Sequence, residues 1–132
     1  MRQKPMVMVV FGTRPEAIKM APVIAELSRH AHRFAVQVVA TGQHRELLDQ
    51  VKDVFRIRVD QDLGIMRRDQ TVADVMSRVL TGMHALIAEQ MPDLVLVHGD
   101  TTTSTAAALA AYLCQVPVGH VEAGLRSEDR YN

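Results

Sequence analysis

The sequence predicts an α/β fold, a doubly wound parallel sheet of Rossmann-like type with helices on both faces. Short, continuously apolar runs recur along the chain (MVMVVF, FAVQVVA, LVLVH, VPVGHV), as strands covered on both faces require. Stretches with helical spacing lie between them, which is the pattern of βαβ units. The runs also stop at glycine or small polar residues (Gly12-Thr13, Thr41-Gly42, Gly99-Asp100), where a strand would hand over to a helix. At 132 residues the chain is the size of one domain with one core, and no repeat, linker or low-complexity stretch divides it.

Each element has a local reason. Met6 to Phe11 is the first strand. Pro15 suits the first helical position and Glu16 the first turn, where a carboxylate complements the helix dipole. Ala17, Met20, Ala21, Ile24 and Leu27 make the apolar stripe of that helix. Pro22 is expected to kink or restart it, having no N–H to give Ile18. Phe34 to Ala40 is the second strand, and QHRELLDQV a short helix with Leu47, Leu48 and Val51 inward. Phe55 to Val59, FRIRV, alternates and reads as a short edge strand, with a polar loop from Gln61 to Gln70. Thr71 and Asp74 form a capping box ahead of Val72, Val75, Val79, Met83 and Leu86. Met91-Pro92-Asp93 ends that helix, Leu94 to His98 is a buried strand, and TTTSTAAALAAYLCQ is a capped, alanine-rich helix able to lie close to a sheet. Val116 to Gly124 holds the last strand.

Bulk composition excludes several classes. Fifteen basic and fifteen acidic residues cancel, so no field of one sign draws the chain to nucleic acid or to a membrane. No apolar stretch reaches the ~18 to 20 residues needed to span a bilayer. The N-terminal apolar run ends in Gly-Thr-Arg-Pro rather than a small-residue cleavage site, so a buried strand is expected there instead of a signal peptide. The single Cys114 sits in an apolar run and reads as a small core residue, which fits a reducing, cytoplasmic setting.

In an open parallel sheet, ligands bind beyond the carboxyl ends of the strands, near the reversal in strand order. Those ends carry Arg14, then Thr41 to His44, then His98 and Asp100, then His120, Glu122 and Arg126. With strand order 3-2-1-4-5, cations would face two carboxylates across one crevice. Arg14 and Lys19 suit a phosphate, the first as a planar fork of donors and the second as a mobile charge beside a helix start. Their bland alternatives are a carboxylate partner for Arg14 and solvation for Lys19. The stretch GTRPEAIK is neither a Walker A loop nor a three-glycine dinucleotide fingerprint. Asp100 could instead cap the following helix, and Glu122 could instead pair with Arg126. Two carboxylates beside a phosphate site suit proton abstraction and return. The histidines read as supports, and no Cys/His spacing suggests a metal.

VFGTRPEAIKMAPVIAEL, TGQHRELLDQV, DLVLVHGDTTTSTAAALAAYL and VPVGHVEAGLRS together resemble the bacterial non-hydrolysing UDP-N-acetylglucosamine 2-epimerases over nearly the whole chain. GTRPEAIKMAP and GHVEAGLRS are the most specific blocks. The resemblance implies residues 1–132 as the N-terminal Rossmann-like domain of a GT-B-like pair, with the C-terminal UDP-binding domain outside this chain. It implies interconversion of UDP-N-acetylglucosamine and UDP-N-acetylmannosamine without an added cofactor, for cell-surface polysaccharide synthesis. The route is elimination of UDP to a 2-acetamidoglucal and its re-addition. Arg14 and Lys19 fall on diphosphate and substrate positions. Asp100 and Glu122 fall on positions of acid–base work or substrate binding. Gln43 and His44 match a candidate regulatory neighbourhood. Members activated by their own substrate carry Gln and Arg where this chain has Glu46 and Asp69, and two acidic groups repel a diphosphate, which argues against that regulation. A homodimer is expected, built on the apolar helices.

The rivals are a hydrolysing epimerase, a GT-B glycosyltransferase, and a non-catalytic sugar-nucleotide-binding module. GDTTT looks more like the non-hydrolysing branch than the hydrolysing one.

Overall fold

The computed structural model describes residues 4–42, 45–122 and 128, and of residues 45, 47 and 48 the backbone alone. In chain order the elements are β1 (Met6–Phe11), α1 (Arg14–Arg29), β2 (Ala35–Ala40), α2 (Arg45–Phe55), β3 (Gln61–Asp62), α3 (Val72–Gln90), β4 (Leu94–His98), α4 (Thr102–Leu113) and β5 (Val118–Val121). The strands form one five-stranded sheet in the order β3-β2-β1-β4-β5, with every neighbouring pair parallel. This is the doubly wound topology expected, with the reversal between β1 and β4.

The unbroken apolar run of β1 follows from its central place. Met8 and Val10 point into the layer formed with α3 and α4, whereas Val7, Val9 and Phe11 point into the layer formed with α1 and α2. All five are buried, because successive side chains of a central strand meet opposite helical layers. On the α4 side, Ala106, Ala107, Ala110 and Ala111 are fully buried. Their small side chains let α4 pack close to both α3 and the sheet, as the alanine-rich sequence predicts.

Helix starts follow their sequence signals. Thr13 caps α1, with Pro15 in the first turn. Thr71 and Asp74 form the complete capping box of α3, with both bonds at 3.0 Å. At its other end α3 stops at Met91, whose φ of 49° turns the chain into the left-handed region. Helix α1 does not restart at Pro22 but runs as one element to Arg29. Pro22 sits on the exposed face, where water can satisfy the Ile18 carbonyl that lost its donor.

Some boundaries differ from expectation. The stretch from Phe55 to Val59 is not a strand. Phe55 closes α2, Arg56 turns at φ 53°, and the edge strand is the two residues Gln61–Asp62, within the stretch read as loop. The alternation in FRIRV reflects Ile57, which is buried against the α1 and α2 layer without joining a ladder. Asp60 then meets the β2 edge in an unladdered way, its carboxylate accepting from the Val38 N–H at 2.8 Å. Val72, expected inward on α3, is instead exposed at the first position of the helix. Cys114 is half-buried as the C-cap of α4, its thiol 3.8 Å from the His84 carbonyl.

Candidate functional site

The strand order brings the ends of β1, β4 and β5 side by side, so the loops carrying Arg14, Asp100 and Glu122 are neighbours along the carboxyl edge. Arg14 opens α1 and is exposed. Lys19 is also exposed but stands five residues further along, roughly 7.5 Å down the helix axis. Arg14 therefore starts at the carboxyl edge, whereas the Lys19 backbone lies more than a turn down α1 from it. Gln43, His44 and Arg126 lie outside the described residues.

Asp100 is exposed and does not cap α4. Thr101 is the cap, its hydroxyl accepting from the Ser104 N–H at 3.1 Å. Among the described residues no hydrogen bond or ion pair holds the Asp100 side chain, which is exposed at the end of β4. Gly99 precedes it at φ 68°, the left-handed region in which a side chain is strained. A Cβ built on Gly99 would stand 4.0 Å from Glu122 Oε2, so the Glu122 carboxylate overhangs the same loop. Asp100 and Glu122 thus flank Gly99 from adjacent strand ends. Glu122 is exposed like Asp100.

Beneath this rim is a layer of buried polar groups that sequence reasoning missed. Glu16 was read as a dipole-facing residue of the first turn. It is instead buried, and its Oε2 accepts the Gly12 N–H at 2.8 Å. The amide at the β1 exit is therefore occupied by the chain's own carboxylate rather than open to an anion. Glu16 Oε1, Thr41 Oγ1 and Thr103 Oγ1 are buried and have no hydrogen-bond partner among the described residues. Gly12 lies wedged among them. A Cβ there would meet Thr103 Oγ1 at 2.4 Å and Thr41 Oγ1 at 2.5 Å. Glycine is thus required at position 12 by close approach, which lets β1 hand over to α1 directly beneath the crevice. The only sequence signal for this was the glycine itself at the end of an apolar run.

Among the described residues no cluster of three or more His, Cys, Asp or Glu side chains could hold a metal, and no helix is long and apolar enough to cross a membrane.

The family model for UDP-N-acetylglucosamine 2-epimerase matches residues 25–132. The chain belongs to this family. It is 52% identical over 126 residues to the UDP-N-acetylglucosamine 2-epimerase of Salmonella typhimurium, covering 96% of this chain and 33% of that protein. The enzyme of the same name from Bacillus subtilis is also 52% identical, with the same coverage. Among solved structures, the UDP-GlcNAc 2-epimerase of Neisseria meningitidis bound to UDP-GlcNAc superimposes with a TM-score of 0.89 at 50% identity, over 96% of this chain and 34% of that one. The Methanocaldococcus jannaschii enzyme in complex with UDP-GlcNAc and UDP gives a TM-score of 0.86 at 31% identity, again over 96% of this chain and 34% of that one. This 2-epimerase-family chain therefore spans about a third of the length of the curated relatives it matches.

Proposed function

We propose that this chain forms the N-terminal wall of a UDP-N-acetylglucosamine 2-epimerase of the non-hydrolysing kind, in a GT-B-like pair of domains. The observation that carries the reading is the convergence of Arg14, Asp100 and Glu122 on adjacent strand ends of a family member. The Neisseria relative, bound to UDP-GlcNAc, supports a nucleotide-sugar as the ligand.

The chemistry follows from these groups. C2 of the sugar loses its proton to a carboxylate, the C1–O bond to the diphosphate breaks, and UDP departs with the electron pair, leaving a 2-acetamidoglucal. Re-addition of UDP to C1, with a proton delivered to the opposite face of C2, gives the epimer. Arg14 and Lys19 stabilise the charge that grows on the departing diphosphate. Asp100 and Glu122 divide the proton transfers, which requires one carboxyl to be protonated while the other is ionised. No net oxidation occurs. The exposed Leu109, Tyr112 and Leu113 of α4 supply an apolar face for a homodimer of the assembled enzyme.

The test uses the longer protein that carries this wall, incubated with UDP-N-acetylglucosamine in deuterated water and followed by NMR. The expected product is UDP-linked N-acetylmannosamine with deuterium at C2, and both Asp100→Asn and Glu122→Gln are expected to abolish that exchange. Normal exchange in both variants would overturn the acid–base assignment. Release of free N-acetylmannosamine would indicate the hydrolysing reaction, and sugar transfer to an acceptor without C2 exchange a glycosyltransferase. The 132-residue chain alone is expected to fold without turnover, since one wall of a cleft buries little of a ligand.

A further inference from the structure

Asp100 stands between two residues whose backbones are held by their surroundings. On one side Thr101 is fixed as the cap of α4, its carbonyl also accepting from the Thr105 N–H at 3.1 Å. On the other side, both polar backbone atoms of Gly99 are tied to β5. The Gly99 N–H donates to the Val121 carbonyl at 3.1 Å, and the Gly99 carbonyl accepts from His120 Nε2 at 2.6 Å. Ser104 Oγ lies 3.2 Å from the same carbonyl, but its one proton has a nearer acceptor in the Thr101 carbonyl at 2.9 Å. His120, at 2.6 Å, is therefore the closer donor to this carbonyl. Since a carbonyl oxygen only accepts, Nε2 carries the proton.

We propose that His120 is a positioning residue, whose Nε2–H clamps the Gly99 carbonyl and so sets the separation and direction of the Asp100 and Glu122 carboxylates. This rests on reading those carboxylates as the proton-transfer pair. Two consecutive residues of β5 hold Gly99, and the next residue after each loop's anchor carries a carboxylate: Asp100 follows Gly99, and Glu122 follows Val121. The β4–β5 ladder, in which His98 pairs with Val121, ends at this point, and these two bonds carry the alignment onward from it. Gly99 without its clamp is the most permissive hinge a chain can contain, and Asp100 would swing with it. His120 is exposed, so replacing its ring opens no buried cavity. A displacement of about 1 Å at a reacting group is enough to cost on the order of a hundredfold in rate.

His120→Phe keeps a planar ring and removes the donor, whereas His120→Gln returns an N–H on a side chain of similar reach. In the longer protein, His120→Phe is expected to lower kcat for C2 exchange by roughly tenfold or more with KM within about twofold, and His120→Gln to recover most of the loss. Unchanged kcat in His120→Phe, or a Gln variant as impaired as the Phe variant, would overturn the proposal. In the 132-residue chain, amide NMR reads the clamp without any reaction. The Asp100 and Glu122 signals should move together in His120→Phe and return in His120→Gln. Signals that stay in place in His120→Phe refute the clamp. If they move while the longer protein shows no C2 exchange even unsubstituted, the epimerase reading fails and the clamp stands.

Discussion

Gly12→Ala tests the wedge beneath the crevice. The new methyl would stand 2.4 Å from Thr103 Oγ1, 2.5 Å from Thr41 Oγ1 and 3.0 Å from Thr103 Cγ2, all far inside van der Waals contact. Neither neighbour yields cheaply. Both threonines are buried and β-branched, so χ1 rotation exchanges a hydroxyl for a methyl rather than clearing the space. Forcing one carbon into such a site typically costs about 1–3 kcal/mol. Lost freedom of the unfolded chain gives back about 0.4–1 kcal/mol, since Gly12 is not in the left-handed region and alanine can adopt its backbone. The net is a destabilisation of about 1–2 kcal/mol. At about 2.1 cal/mol/K per residue, a chain of 132 residues has an unfolding entropy near 0.28 kcal/mol/K, so Tm should fall by roughly 4–7 °C. Thermal unfolding followed by circular dichroism measures this directly. Combining Gly12→Ala with Thr103→Ala should cost less than the sum of the two, because the second change removes the nearest clash. A Tm that is unchanged or raised in Gly12→Ala would refute the close-approach reasoning.

Other perturbations probe other parts of the fold. Glu16→Ala leaves the buried Gly12 N–H without its acceptor and should cost about 1–3 kcal/mol in urea unfolding, whereas Glu16→Gln keeps an oxygen there and should cost less. Ala110→Leu, at a fully buried position of α4, should overpack the layer against α3 and the sheet by about 1–3 kcal/mol, read from the same urea transitions. Asp74 has its carboxyl held below the usual 3.8, first by the hydrogen bond from the Thr71 backbone and then by the Thr71 side chain. A depressed carboxylate stabilises the fold above its unfolded pKa and loses that contribution as pH falls through the folded value. The stability gap between the parent and Asp74→Asn should therefore close as acid titration passes below 3.8, and a gap constant through that range would count against the capping box.

Much of the architecture was legible because it depends on local pattern. The continuous run Met6 to Phe11 read as a strand buried on both faces, and Thr71 with Asp74 marked a helix start that the structure reproduces bond for bond. Alternating strands and helices implied the parallel sheet, and its order is the usual 3-2-1-4-5 that the reading assumed. Other features were not legible. The alternation of FRIRV looked like a strand, but alternation shows that a residue is buried without saying whether its backbone joins a ladder, and Ile57 is buried from a turn. Glu16 carried the sequence signature of a solvated first-turn acid, yet it turns inward to an amide four residues earlier. Asp100 had the sequence position of a helix cap, and only the bond from Ser104 to Thr101 released it from that role.

The sequence by itself determined the fold class, the strand positions of the central sheet and the identities of Arg14, Lys19, Asp100 and Glu122 as candidates. These rest on periodicity and residue chemistry, which act over a few neighbouring positions. Tertiary structure alone decided that Gly12 is squeezed between Thr41 and Thr103, that Glu16 closes the β1 exit, and that His120 reaches the Gly99 carbonyl. The first and last join residues from 21 to 91 positions apart, which meet only once parallel strands have been placed side by side. No local propensity encodes such contacts. They arise because burying both faces of β1 forces the carboxyl ends of its neighbours to converge on one edge.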